Sequence, residues 1–124
     1  MAYRSIKLSF ICAVWNEFNR APLELEKLIK ELNSNNLLKV SEIIIIDNLS
    51  TDGTREWVKK QNSNFIKVIL NKNNIGKGGS IKKAISASKG EIGIIYDLDA
   101  EYLAFDAFQG IKLIKKSNST IVLA

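Results

Sequence analysis

Two patterns of apolar and polar residues alternate along the chain. Short continuous apolar runs are typical of strands buried on both faces of a sheet, and apolar residues that return every three or four positions are typical of amphipathic helices. The run Glu42–Asp47 holds four consecutive isoleucines, whereas Leu25, Leu28, Ile29 and Leu32 follow helical spacing. The predicted elements, in chain order, are the strand Ile6–Trp15, a helix from Pro22, the strand Glu42–Asp47, a short helix through Lys60, the strand Phe65–Leu70, a helix from Ile81 to Gly90, a strand from Ile92, a helix across Phe105–Lys116 and the strand Thr120–Ala124.

This order, β-α-β-α-β-α-β-α-β, predicts an α/β fold with a doubly wound, mostly parallel sheet. A chain of 124 residues has room for one domain, which we place over residues 1–124. Functional residues of such sheets gather at the carboxyl ends of the strands. Chemically informative residues stand at those ends: Trp15–Glu17 follow the first strand, Asp47 and Asn48 the second, and Asp97–Glu101 the fourth.

The most informative segment is the apolar run from Ile92 that leads into Asp97, Asp99 and Glu101. In extended backbone, side chains at alternate positions project to the same side, so these carboxylates would converge on one point. Closely spaced carboxylates repel one another unless a cation lies among them, and hard oxygen ligands suit Mg²⁺ or Mn²⁺. The segment therefore predicts a divalent metal site. A solvated acidic loop after a core strand is the structural alternative.

The composition excludes several classes of function. The formal net charge is +5, but the lysines and arginines are mostly scattered and no aromatic residues are interleaved with them, so nucleic acid is not an expected partner. The chain has no histidine, which excludes Ser-His and Cys-His catalysis and zinc sites built on imidazole. The single cysteine, Cys12, lies in an apolar run and is interpreted as a core residue in a reducing compartment. No apolar run approaches the length that spans a membrane, and we expect a cytoplasmic protein, with the cytoplasmic face of a membrane as an alternative location.

Four separated motifs stand in order along the chain: Val14-Trp15-Asn16-Glu17, Asp47-Asn48-Leu49-Ser50-Thr51-Asp52-Gly53-Thr54, Asn73-Asn74-Ile75-Gly76-Lys77-Gly78 and Asp97-Leu98-Asp99-Ala100-Glu101-Tyr102. Together they resemble the nucleotide-binding half of the family 2 inverting glycosyltransferases with the GT-A fold, and the polyprenyl-phosphate sugar transferases of the dolichol-phosphate mannose synthase type are most similar. The resemblance spans almost the whole chain. It implies a Rossmann-like GT-A half and transfer of a sugar from a nucleotide-sugar donor to a lipid-phosphate or glycan acceptor.

The first motif resembles the family's Pro-x-Tyr-Asn-Glu, with Ala13 in place of proline and Trp15 in place of tyrosine. The resemblance implies that Ala13, Trp15 and Glu17 line the nucleotide. Trp15 would offer a flat apolar wall to the base. The alternative is that Trp15 is a core residue.

The second motif resembles Asp-Asp-Gly-Ser-x-Asp-x-Thr, with Asn48 in place of the second Asp and Leu49 in place of glycine. The resemblance implies that Asp47 and Asn48 contact the nucleotide. Because an amide offers an acceptor and donors, Asn48 favours a uracil edge and hence a UDP-sugar. Asp52 and Thr54 are interpreted as helix caps.

The third and fourth motifs resemble the family's Asn-x-Gly-Lys-Gly and Asp-x-Asp segments. Gly76 and Lys77 would then close over the nucleotide, although Lys77 is equally consistent with a surface lysine in a turn. Asp97 would face the ribose or the metal, with Leu98 beside it. Asp99 would bind the Mg²⁺ or Mn²⁺ that holds the diphosphate, and Glu101 would complete the metal shell.

The half of the family fold that supplies the catalytic base and the acceptor site has no counterpart in the sequence, so no catalytic residue is assigned. A partner chain or a homo-oligomer that completes the site is one expectation. A catalytically inactive nucleotide-sugar-binding module is the main alternative function. A phosphatase of the haloacid dehalogenase type shares the strand-Asp-x-Asp pattern, but its motif would stand near the start of the chain and would need later Lys and Asp motifs.

Overall fold

Five parallel strands form one sheet in a computed structural model that describes residues 5–99 and, for the backbone alone, residues 120–123. The strands lie in the order β3-β2-β1-β4-β5, and each neighbouring pair is parallel. Successive strands first add on one side of β1 and then on the other. Their bounds are Leu8–Val14 for β1, Ser41–Asp47 for β2, Ile66–Leu70 for β3, Ile92–Ile95 for β4 and Thr120–Leu123 for β5.

Helices connect the strands, which confirms the predicted doubly wound α/β fold. The described helices are α1 over Ala21–Ser34, α2 over Thr54–Lys59 and α3 over Gly76–Ala87, with a short 3₁₀ turn over Leu38–Val40. The helix predicted across Phe105–Lys116 lies outside the described residues. None of the helices in residues 5–99 has the length and apolar character needed to cross a bilayer.

The sheet is covered on both faces, as the run of isoleucines predicts. Ile43 and Ile45 face the side of the sheet that carries α1, and they pack in one cluster with Leu28. Ile44 and Ile46 belong to the cluster on the other face. All four isoleucines are fully buried, and burying each such side chain contributes roughly 1.5–3 kcal/mol. The sheet is therefore a rigid platform for the loops at its edges.

Helix α3 begins earlier than the sequence predicts. The sequence predicts that this helix begins at Ile81, but the first turn of α3 is Gly76-Lys77-Gly78-Gly79. Glycine has low helix propensity, so this turn depends on outside support. The Asn74 side chain accepts a hydrogen bond from the Gly76 N–H at 3.0 Å, and the backbone of Gly76 has a positive φ of 77°.

The acidic segment also differs from its prediction. Strand β4 ends at Ile95, and the chain bends at Leu98 and Asp99, so the extended backbone does not continue through the carboxylates. Tyr96 and Leu98 are nonetheless buried, and the Phe10 ring packs edge-on against Tyr96 at 6.2 Å. These two apolar anchors keep the intervening Asp97 at the edge of the sheet.

Candidate functional site

A cleft of about 340 Å³ opens at the carboxyl ends of the strands. It lies where the strand order reverses between β1 and β4, which is where parallel α/β sheets bind their ligands. Its volume falls within the range of small-molecule sites. The residues that line it are Ala13, Val14, Trp15, Glu17, Asn48, Asn74, Lys77, Ser80, Asp97, Leu98 and Asp99.

Most of the residues predicted from the sequence meet in this cleft. Those that line it are Ala13, Trp15, Glu17, Asn48, Lys77, Asp97, Leu98 and Asp99. Asp47 and Gly76 do not belong to the lining. Glu101 lies outside the described residues. Trp15 is 52% exposed, so it is not a core residue, and one face of the cleft carries a large aromatic surface.

Asp47 is an internal anchor of the loop that follows β2. Its side chain is fully buried, and Oδ2 accepts hydrogen bonds from the backbone N–H groups of Leu49 at 3.1 Å and Ser50 at 3.0 Å. Arg55 of α2 donates a third bond to Oδ2 at 2.9 Å. Asp47 Oδ1 has no hydrogen-bond partner among the described residues. The carboxylate thus fixes a tight turn in which Leu49, at the glycine position of the family motif, has a positive φ of 69°.

The loop after β1 is bonded to the loop after β2. Asn16 N–H donates to Ser50 Oγ at 2.9 Å, Glu17 N–H to Thr54 Oγ1 at 3.0 Å and Phe18 N–H to an Asp52 oxygen at 3.2 Å. These bonds hold the Trp15 segment in place although Trp15 itself is exposed.

Asp52 and Thr54 lie at the start of α2, where the sequence predicts them to be caps, but the N-cap residue is Gly53 and no side chain caps the helix from that position. An Asp52 oxygen accepts bonds from the N–H and the hydroxyl of Thr54. Desolvation raises the pKa of Asp52, but the hydrogen bonds from Thr54 and Phe18 together outweigh that effect and bring the pKa below its ordinary value of 3.8.

Three asparagine side chains join the loop after β2 to the loop before α3. Asn48 Oδ1 accepts hydrogen bonds from Ile75 N–H at 2.9 Å and from Asn71 Nδ2 at 3.2 Å, and Asn48 Nδ2 donates to Asn74 Oδ1 at 2.9 Å. Asn71 also donates to Ser80 Oγ at 2.9 Å. Because the Asn48 oxygen already accepts two bonds, it is not open to a base N–H, and the sequence-based preference for uracil loses the acceptor on which it depended.

Two cationic side chains contact the acidic segment. Lys77 Nζ lies 2.9 Å from Asp97 Oδ2, with side chains 61% and 21% exposed. Arg20, which precedes α1, donates from Nη1 to the backbone oxygen of Asp99 at 3.0 Å. Lys77 therefore lies inside the cleft and contacts Asp97, which is a predicted metal ligand. Arg20 stabilises the bend that contains Asp99.

Cys12 lies in the core below this site. Burial raises the pKa of its thiol strongly, and the nearby charge of Asp97 raises it further. A neutral, inaccessible thiol agrees with the interpretation of Cys12 as a core residue.

Several site residues were not predicted from the sequence. Asn71 and Ser80 support the cleft through the asparagine network, and Arg20 and Arg55 hold its loops. Asn71 directly follows β3, so the rule that placed Asp47 at the end of β2 would have found it. The arginines gave no comparable signal, since each is one of many scattered basic residues.

A parallel α/β sheet with a cleft at its switch point and two aspartates in the lining of that cleft is typical of a Rossmann-like ligand-binding domain. The family model of glycosyl transferase family 2 matches residues 9–124, and the chain belongs to this family. The resemblance found in the four motifs is thereby confirmed, and the assignment leaves the phosphatase alternative without support.

Individual relatives agree with the family. The chain is 39% identical to a dolichyl-phosphate beta-glucosyltransferase of Dictyostelium discoideum, over 86% of this chain and 36% of the relative. A human protein of the same name is 29% identical over 75% of this chain and 31% of the relative. The chain thus spans about a third of the length of these relatives.

Solved structures show the same fold. The mannosyltransferase PcManGT from Pyrobaculum calidifontis, in complex with GDP-Man and Mn²⁺, has a TM-score of 0.63 at 27% identity, over 84% of this chain and 30% of that one. S. aureus TarS 1-349 has a TM-score of 0.59 at 23% identity, over 86% of this chain and 32% of that one. The likeness confirms the Rossmann-like GT-A half.

Proposed function

We propose that this chain is the donor-binding part of a metal-dependent glycosyltransferase that transfers a sugar from a nucleoside diphosphate sugar to an acceptor. One observation carries the proposal: Trp15, Lys77, Asp97 and Asp99 line a single cleft at the switch point of the sheet. An aromatic wall suits a base, and carboxylates beside a cation suit a metal-bound diphosphate. The family supports the same reaction class.

The metal is proposed as Mg²⁺ or Mn²⁺, held by Asp97 and Asp99 and completed by Glu101. Within the described part of the chain, no three acidic, histidine or cysteine side chains cluster closely enough to hold a metal ion. The donor set nevertheless suits a hard cation, and Asp97 already binds the Lys77 ammonium at 2.9 Å, so its carboxylate points to a place where a positive charge is stabilised. When bound, the ion would neutralise charge on the departing nucleoside diphosphate.

The protein's own groups would position the donor. Trp15 would stack on the base, while the loops that Asp47, Asn48 and Asp52 fasten would keep the cleft in shape before the donor arrives. Such preorganisation lowers the entropy cost of placing the reacting atoms. UDP is the first nucleotide to test. GDP is the second, because the structurally similar mannosyltransferase PcManGT is in complex with GDP-Man.

The acceptor is proposed to be a lipid phosphate or a glycan, and the relatives named for dolichyl phosphate favour the lipid. A lipid acceptor would place the protein at the cytoplasmic face of a membrane. Inversion requires a base that deprotonates the acceptor, and we assign no cleft residue to that role. A partner chain or a second copy would then complete the acceptor site.

A nucleotide-sugar-binding module without transfer activity is the second candidate. It is favoured by the described cleft, whose lining residues suit donor binding and include none that we assign as the base for an acceptor. Release of nucleoside diphosphate from UDP-sugars, with and without a polyprenyl phosphate, separates the two candidates. We expect donor binding with slow or no transfer by this chain alone, and robust turnover would contradict that expectation.

Calorimetric titration of UDP, GDP, CDP and dTDP in the presence of Mn²⁺ tests the proposal directly. We expect one of these nucleotides to bind with a dissociation constant that rises at least about tenfold when EDTA removes the metal. Equal affinity with and without EDTA would refute metal dependence, and no binding of any nucleotide would refute the proposed function.

A further inference from the structure

The amide of Asn48 has one possible orientation. A backbone N–H can only donate, so the Asn48 atom that faces Ile75 N–H at 2.9 Å must be the oxygen. Asn74 is fixed in the same way, because its oxygen accepts from Gly76 N–H at 3.0 Å. Asn71 is fixed by Lys83, whose ammonium donates to Asn71 Oδ1 at 3.3 Å. Three unambiguous donors thus determine how all three amides point.

The same bonds lead from Asn48 to the acidic end of the cleft. Asn48 holds Ile75 directly and Gly76 through Asn74. Lys77 follows at once in the first turn of α3, and its ammonium reaches Asp97 at 2.9 Å. Because the Gly-rich turn has little intrinsic helix propensity, its position depends on these side-chain bonds. The position of the Lys77 ammonium therefore depends on Asn48, which lies on a different loop.

We propose that Asn48 is a positioning residue that fixes Lys77 beside Asp97, rather than a residue that reads the base. The inference rests on the proposed nucleotide-sugar function. Both lone pairs of the Asn48 oxygen are used within the protein, by Ile75 and Asn71, so the side chain offers a ligand no acceptor. One Nδ2 hydrogen binds Asn74 and the other can still meet a ligand, but the main effect of Asn48 passes through the diphosphate and metal end of the cleft, where Lys77 lies.

Binding of a nucleoside and of its diphosphate separates the two roles. Uridine and guanosine carry the base alone, and UDP and GDP with Mn²⁺ add the diphosphate. In Asn48→Ala, we expect the affinity for the diphosphate to fall about tenfold while the affinity for the matching nucleoside changes by less than about twofold. An equal loss for nucleoside and diphosphate would show that Asn48 reads the base and would overturn the proposal.

A double-mutant cycle tests whether the effect passes through Lys77. Once Lys77→Met has removed the ammonium, Asn48→Ala should cause no further loss of diphosphate affinity. Independent, additive losses would contradict the proposal. Asn74→Ala leaves Asn48 in place but removes the side chain that joins Asn48 to Gly76, so it should cause the same loss of diphosphate affinity. This variant replaces Asn48→Ala if Asn48→Ala does not fold. Asn62→Ala, an exposed asparagine at the opposite edge of the sheet, is the matched control.

A measurement without nucleotide keeps the inference separate from the proposed function. The side-chain carboxyl ¹³C resonance of Asp97 reports the nearby ammonium in the empty protein. Lys77→Met and Asn48→Ala should shift this resonance in the same direction, and Asn62→Ala should leave it unchanged. A shift in Lys77→Met alone would overturn the inference. If the shifts agree but no nucleotide binds, the proposed function fails and the positioning role stands.

Discussion

Replacing Asp47 provides the sharpest test of how the cleft is built. The family motif implies that Asp47 contacts the nucleotide, whereas the structure buries it beneath the loop, where Oδ2 accepts bonds from Leu49, Ser50 and Arg55. A hydrogen bond to a charged group contributes roughly 1.5–3 kcal/mol, and Arg55 is partly solvated, which favours the lower end. We expect Asp47→Ala to lower the free energy of unfolding by about 4 kcal/mol.

Asp47→Asn is the informative companion variant. The amide oxygen can still accept two of the three bonds, without a full charge, so we expect a smaller loss of about 2–3 kcal/mol. Urea unfolding followed by far-UV circular dichroism measures both variants. Glu26→Ala, an exposed residue of α1, is the control and should stay within about 0.5 kcal/mol of the parent protein.

The reasoning also predicts how Asp47→Asn binds nucleotide. If the carboxylate acts only as an anchor, the folded Asp47→Asn protein should bind UDP or GDP with nearly the affinity of the parent. A loss of stability below about 1 kcal/mol for Asp47→Ala would refute the anchor. A large loss of nucleotide affinity in stable Asp47→Asn would instead support the direct contact implied by the family motif.

Three further predictions concern the metal, pH and the thiol. Asp99→Ala should weaken metal-dependent nucleotide binding by at least ~1.4 kcal/mol, a factor of ten, measured by calorimetry. The pKa of Asp52 is lowered in the folded state, so its contribution to stability is present above the unfolded pKa and is lost as pH falls below about 3.8. In a series of urea unfolding curves at decreasing pH, the midpoint of Asp52→Asn should therefore fall less steeply in acid than that of the parent protein. Because burial raises the pKa of Cys12, a thiol reagent at neutral pH should label it only after unfolding, and labelling at the rate of a free thiol would contradict its burial.

The spacing of apolar residues predicted the fold because buried strands and helices place apolar side chains at regular intervals along the chain. The isoleucines of Glu42–Asp47 required cover on both faces, and the structure buries all of them. Element ends were less predictable, since they depend on single side-chain contacts. Gly76-Lys77-Gly78-Gly79 has the composition of a loop, yet it forms the first turn of α3 because Asn48 and Asn74 hold the preceding backbone. No local pattern encodes a contact between residues so far apart in sequence.

The cleft was predictable to the extent that it follows from topology. Trp15, Asn48, Asp97 and Asp99 each stand just after a strand, so a parallel sheet brings them to one edge. What each side chain does there was harder to predict. Asp47 and Asn48 are adjacent in sequence and in the family motif, but their side chains have different partners. Asp47 accepts hydrogen bonds inside its own loop, and Asn48 joins that loop to the one before α3.

The bonds around the cleft are unevenly distributed, and this distribution indicates which part responds to a ligand. The loops that carry Trp15 and Asn48 are held by several buried or half-buried hydrogen bonds. The Lys77–Asp97 pair is different: with a lysine that is 61% exposed, it is screened by solvent and contributes at most about 1 kcal/mol. A divalent ion or a diphosphate can displace so weak a contact without disturbing the loops. Asp97 and Asp99 would hold the proposed metal, and Lys77 would offer its ammonium to the negative charge of a bound diphosphate.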